Sequence, residues 1–126
     1  MAFSNVPVAV YGNTPAAADL TTKLFHAGVI DSSGEINAVA SAGAASDGVI
    51  TMDSPEGRAA RLTFFGIEKV ALGGTVTFAT LLTADADGKY VAATTGDVIL
   101  GRCLLGGAAG GIGSMLIYPK AQTVSA

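Results

Sequence analysis

Short alternating runs of apolar and polar residues, broken by glycine and acidic turns, dominate this chain. Ala60, Leu62 and Phe64 alternate with Arg61, Thr63 and Phe65, and Val76 and Phe78 alternate with Thr75 and Thr77. A period of two is that of a strand with one face turned inward. Val98–Leu105 is apolar on both faces apart from Gly101 and Arg102, which suits a strand covered on both sides. In a small barrel, a neighbouring subunit would supply the outer cover. Met115–Tyr118 predicts a closing strand ended by Pro119, and Ala121–Ala126 a polar tail.

Near the start the pattern is less regular. Residues 1–20 read as an extended arm, with Phe3, Val6, Val8, Val10 and Tyr11 apolar and Pro7 and Pro15 interrupting regular pairing. Thr14, Pro15 and Gly28 are placed to bracket a helix. The alignment of Thr21–Ala27 with the Thr-, Val- and Phe-containing Thr75–Leu81 instead favours a strand over Thr21–Val29. A helical turn stays open near Ala16–Asp19.

The chain also repeats itself. Asp31-Ser32-Ser33-Gly34-Glu35-Ile36 matches Asp85-Ala86-Asp87-Gly88-Lys89-Tyr90 at an offset of 54 residues. After one dropped residue the offset is 53, and Gly48, Ile50 and Gly57 lie over Gly101, Cys103 and Gly110. The unit reads strand, acidic-Gly turn, strand, loop, strand, Gly-containing turn, strand. Two copies are too few for a solenoid, so they should pack on each other. The expected fold is all-β: a small antiparallel β-barrel or sandwich built from two similar β units. The β domain would span 21–120, its repeats about 21–67 and 75–119, between the arm and the tail at 121–126.

Composition sharpens this picture at one point. Charged residues make up only 13% of the chain, while Ala and Gly together fill nearly a third. A free monomer needs charge to stay soluble, so much of the surface is expected to be covered by other subunits. The net charge of −3 and the scattered Lys and Arg give no basic stripe, so no nucleic-acid partner is expected. No run approaches the ~20 apolar residues of a membrane helix. The first ten residues lack a basic region followed by an apolar run, so no secretory signal is expected. The single Cys103 permits no internal disulfide, which fits intracellular assembly.

Candidate chemistry is thin. Asp85-Ala86-Asp87-Gly88 begins like a calcium loop, but no closing Glu follows, and a hairpin turn explains it better. Gly106–Gly113 lacks the GK[ST] and the helix of a phosphate cradle. His26 is the only histidine and Cys103 sits in the most apolar strand. The pairs Asp53 with Glu56 and Asp85 with Asp87 lie in turns, where carboxylates are normally wet. No nucleophile–base–orienter set is visible. The expectation is therefore no catalytic, metal-binding or cofactor-binding residue, and no enzyme.

Over Leu20–Pro119 the chain resembles the capsid cement, or head decoration, proteins of tailed bacteriophages. The likeness rests on Asp31–Ile36, Ser46–Thr51, Gly66–Val70 leading into Gly73–Phe78, Leu81–Lys89 and Gly96–Leu105. One departure is the closing turn Gly106-Gly107-Ala108-Ala109-Gly110-Gly111, where similar proteins carry an acidic residue. The resemblance implies a β-rich fold, synthesis in the host cytoplasm, and homo-oligomers on the outer capsid surface that bind the major capsid protein. A trimer would suit a local three-fold axis. Within that expectation, Phe3, Val6, Val8 and Tyr11 are the candidate capsid contacts, and Leu100, Leu104 and Leu105 the candidate subunit interface. The competing expectation is a carbohydrate-binding or fibre-like module on the virion surface, which needs exposed aromatic rings.

Overall fold

The computed structural model describes residues 5–124, and at 5–9, 13 and 119–123 only the backbone. Nine strands follow one another: β1 Asn5–Pro15, β2 Ala27–Ile30, β3 Ile36–Ala38, β4 Gly48–Met52, β5 Ala59–Ala71, β6 Leu81–Ala84, β7 Tyr90–Ala92, β8 Val98–Leu105 and β9 Ile112–Thr123. They form one antiparallel sheet, curled into a half-barrel, in the order β3-β2-β4-β5-β9-β8-β6-β7, with β1 paired to β5. The fold is all-β.

The order runs out from the β5–β9 pair in the same way on both sides, and the registers explain why. Ile30 opposite Ile36 becomes, 54 residues on, Ala84 opposite Tyr90. Ile50 opposite Leu62 becomes, 53 on, Cys103 opposite Met115, and the irregularity between Ile50 and Met52 recurs between Cys103 and Leu105. The turns match bond for bond. The Asp31 carboxylate accepts from the amides of Ser33 and Glu35, and that of Asp85 from those of Asp87 and Lys89. Gly34 and Gly88, at φ 80° and 85°, take the left-handed corner that glycine reaches without a Cβ clash.

The N-terminal strand belongs to this scheme. Ala16 bridges Ile36 as Leu72 bridges Tyr90, so β1 is to the first repeat what the end of β5 is to the second. β5 therefore serves both: its start pairs with β4, its end with β9, and Gly66 (φ 107°) stands between.

Several local expectations are corrected. Residues 5–15 are extended but not free; they lie along β5 through three register shifts, the first spanning Pro7, while Pro15 pairs with Ala59. Thr21–Val29 is a strand only from Ala27, and Thr75–Leu81 only at Leu81. Phe25 and Ala79 sit at φ 64° and 70°, and a strand cannot run through that corner. Their amides instead donate to Ile50 O and Cys103 O at 2.7 and 2.8 Å. β9 does not stop at Pro119. It continues to Thr123, pairing Gln122 with Ile99 across a register shift.

Burial falls into two clusters. Ala16, Leu20, Ile36, Ile50, Ala60 and Leu62 fill the first repeat. The larger cluster joins Leu72, Val76, Tyr90, Cys103 and Met115 of the second repeat to Ala27, Val39 and Val49 of the first. That junction is where the two units become one domain. Thr83 is the one buried side chain among the described residues whose oxygen has no hydrogen-bond partner. The matching position in the first repeat holds Val29. Thr83→Val keeps the shape and removes an orphaned hydroxyl, so it should raise stability by about 1 kcal/mol, read from urea unfolding.

Candidate functional site

Cross-strand partners share a face, so the registers assemble a row across the second repeat. Leu81 lies opposite Arg102, Arg102 opposite Leu116, and Leu116 opposite Ile67. Leu81 and Leu116 remain 38% and 37% exposed. The Arg102 guanidinium lies over the Phe78 ring, 5.0 Å from its centroid, and Phe78 itself is 66% exposed. This is an apolar strip with one cation, held on a rigid sheet.

The corresponding row of the first repeat is Ala27, Val49 and Thr63. All three are buried. The same face is thus covered in one repeat and open in the other.

A second feature is a cavity of about 350 Å³ between the repeats, lined by Tyr11, Asp47, Val49, Phe64, Leu100 and Tyr118 among others. Its walls are largely apolar. The Asp47 carboxylate already accepts the Ile30 amide at 2.8 Å.

No family model matches this chain, and no curated protein does. Among solved structures, it is similar to the head fiber gp8.5 N base of bacteriophage phi29, with a TM-score of 0.69 and 16% identity over 94% of this chain and 100% of that one. At that identity the likeness is one of fold.

The residues singled out from the sequence are scattered over this fold. Phe3 lies outside the described residues, and Val6 and Val8 contribute described backbone to β1. Tyr11 is half-buried against the first cluster and donates its hydroxyl to Gly34 O at 2.7 Å, so it fastens β1 to the first acidic turn. Leu100 is 7% exposed and belongs to the larger cluster, which removes it from any outer surface. Leu104 and Leu105 are half-buried. Phe64, expected to point inward with Ala60 and Leu62, is 42% exposed and opens onto the cavity. The row of Leu81, Arg102 and Leu116 was missed. Its signal was the repeat itself, which sets Leu and Arg where the first copy has Ala, Val and Thr.

Of the reactive groups singled out from the sequence, His26 and Cys103 are turned inward, while Asp53, Glu56 and Asp87 are exposed. Among the described residues no group of three His, Cys, Asp or Glu could hold a metal ion. Burial pushes the Cys103 thiol up. His26 is buried, and its Nδ1–H donates to Leu24 O at 3.0 Å. Burial lowers its pKa; the Leu24 carbonyl and Asp85 oppose this, while Lys23 and Lys89 add to it. The folded protein therefore holds His26 neutral where the unfolded chain, titrating near 6.5, takes up a proton. This contribution is complete above that value and is lost as the pH falls below it, at no more than about 1.4 kcal/mol per pH unit. His26→Gln should flatten the pH dependence of stability just below pH 6.5, measured as denaturation midpoints against the parent.

Proposed function

We propose that the chain is a structural, non-enzymatic protein of a tailed-bacteriophage head. In this reading it is a decoration protein that binds the outer capsid surface and strengthens contacts between major capsid protein subunits. The observation that carries it is the end-to-end likeness of fold to a head fiber base, covering 94% of this chain and all of the other. The lightly charged composition and the exposed strip of Phe78, Leu81 and Leu116 support a surface made for other proteins. A homotrimer would bind several capsid subunits at once. Each contact can then be weak, because later contacts form at high effective concentration.

The test is cosedimentation of the purified protein with phage heads that lack it. Saturable binding and a higher temperature of head disruption are expected. The second reading is a fibre-like or carbohydrate-binding virion module, favoured by the fiber-base neighbour and by Tyr11, Phe64 and Tyr118 around the cavity. Retention on a glycan array without head binding would overturn the first reading in favour of the second.

A further inference from the structure

The two repeats of this chain are stacked by a specific pair of faces, and the same pair is left unused at the two ends of the stack. The first face is the outer row of the first repeat: Ala27 and Val49, buried in the larger cluster, with Thr63 beside them. The second is the rim of the second repeat that covers it. Ala27 N donates to Gly88 O at 2.7 Å, and Gly43 N to Ala84 O at 2.9 Å. Leu100 and Ile117 share the cluster with Ala27 and Val49.

Carrying each face to the other repeat gives an exposed outer row and a rim that β1 touches at Gly34, whose carbonyl accepts from the Tyr11 and Thr14 hydroxyls. The outer row becomes Leu81, Arg102 and Leu116, with Phe78 at the position of Leu24. The rim residues Ala84, Gly88, Leu100 and Ile117 become Ile30, Gly34, Asp47 and Phe64. Ile30 and Gly34 are half-buried, while Asp47 and Phe64 are exposed. A terminal repeat that ends in solvent normally carries a polar outer face. This one carries two leucines and a phenylalanine.

We infer that the outer row of the second repeat docks on the rim of the first repeat of another copy of this chain, repeating between chains the stacking that joins the repeats within one. The charges agree with that occupant. Arg102 is the cation on the row, and Asp47 is an exposed anion on the rim. In the intrachain junction both corresponding positions, Val49 and Leu100, are apolar and share one cluster. Such a contact is head-to-tail and closes into a ring when the rotation between repeats allows it. β1 reaches this rim: the Tyr11 and Thr14 hydroxyls take the place on Gly34 O that the Ala27 amide takes on Gly88 O, so the contact between copies is carried by the side chains of the row and of Asp47 and Phe64. The inference rests on the reading that the protein self-associates, and it names the surfaces.

Light scattering and sedimentation across a concentration series test it on the full chain. The parent should form a closed oligomer. Leu81→Glu and Leu116→Glu should each weaken association at least 100-fold while the far-UV circular dichroism keeps the parent's β-sheet signal, since both side chains are partly exposed at the sheet surface. Arg102→Asp and Asp47→Arg should each weaken it about 10-fold, and the double variant Arg102→Asp/Asp47→Arg should regain most of the loss. If the parent associates and the Leu81 and Leu116 variants associate equally well, the assigned face is wrong and self-association stands. If the parent is monomeric up to about millimolar concentration, far above the micromolar range of a specific interface, self-association fails and this inference with it.

Discussion

Leu72→Ala is expected to lower the free energy of unfolding by about 3–4 kcal/mol. Leu72 is fully buried in the cluster that joins the repeats. Its Cδ atoms lie 3.3–3.4 Å from where a Cβ would stand on Gly107 and Gly113, so the side chain fills room that those glycines leave. The first repeat solves the same packing differently. It has Ala16 at the position of Leu72, and Ser54 and Ala60 at those of Gly107 and Gly113. Volume lost on one strand is returned on its neighbours. Backbone around Leu72 is fixed by its amide donating to Gly111 O and its carbonyl accepting from Gly110 N, both at 2.9 Å. The site therefore cannot collapse easily, which favours the upper part of the cost range. The converse change, Ala16→Leu, adds three carbons where Ser54 and Ala60 already fill the space and should cost about 1–3 kcal/mol. Urea unfolding of both variants measures this; similar midpoints for Leu72→Ala and the parent would mean that the junction repacks freely.

The all-β class was legible in the alternation of Ala60–Phe65 and in the paired acidic-Gly turns, because both are local. A carboxylate that accepts two nearby amides fixes its own turn, wherever the strands go afterwards. What the sequence did not reveal was set at longer range. Phe25 and Ala79 are held at positive φ by hydrogen bonds to Ile50 and Cys103, and strand propensity in Thr21–Phe25 or Thr75–Phe78 carries no trace of those partners. Val76 and Phe78 share a parity, yet one is 4% exposed and the other 66%, since the chain turns between them. Pro119 looked like a stop because a proline lacks a donor, but a register shift in β8–β9 lets pairing resume at Gln122.

The binding surfaces were hidden for a related reason. An apolar strand such as Val98–Leu105 does not say which of its residues face a partner inside the chain. Leu100 is taken up by the junction between repeats, while Arg102, the least apolar member, lies in the open row. Only the comparison of one repeat with the other separates these cases, since Val49 and Arg102 hold the same register position and differ in what covers them.

Gly101→Ala and Gly48→Ala should be among the most damaging single-methyl changes in the sheet, each costing about 3 kcal/mol. The two glycines hold the same position in the two repeats. A Cβ on Gly48 would stand 2.5 Å from Thr63 O, and one on Gly101 would run into Leu116 O and the Met115 thioether. Carbonyl oxygens of a paired strand cannot swing aside as a leucine tip can, so the strands themselves must part. Neither glycine needs its conformational freedom, because neither has a positive φ. Gly57 and Gly110 provide the contrast. They do have positive φ, at 81° and 85°, but nothing lies within 4 Å of an added Cβ. Alanine there should cost only the left-handed backbone penalty, about 1–2 kcal/mol. The ordering of the four variants in thermal or urea unfolding separates close approach from backbone conformation as the reason for glycine. Equal losses at Gly48 and Gly101 would further mean that the two repeats, which share little identity in their side chains, are held to one fold by the same backbone contact. A cheap Gly48→Ala beside a costly Gly101→Ala would place that constraint in the second repeat alone, where β9 is pressed between β5 and β8.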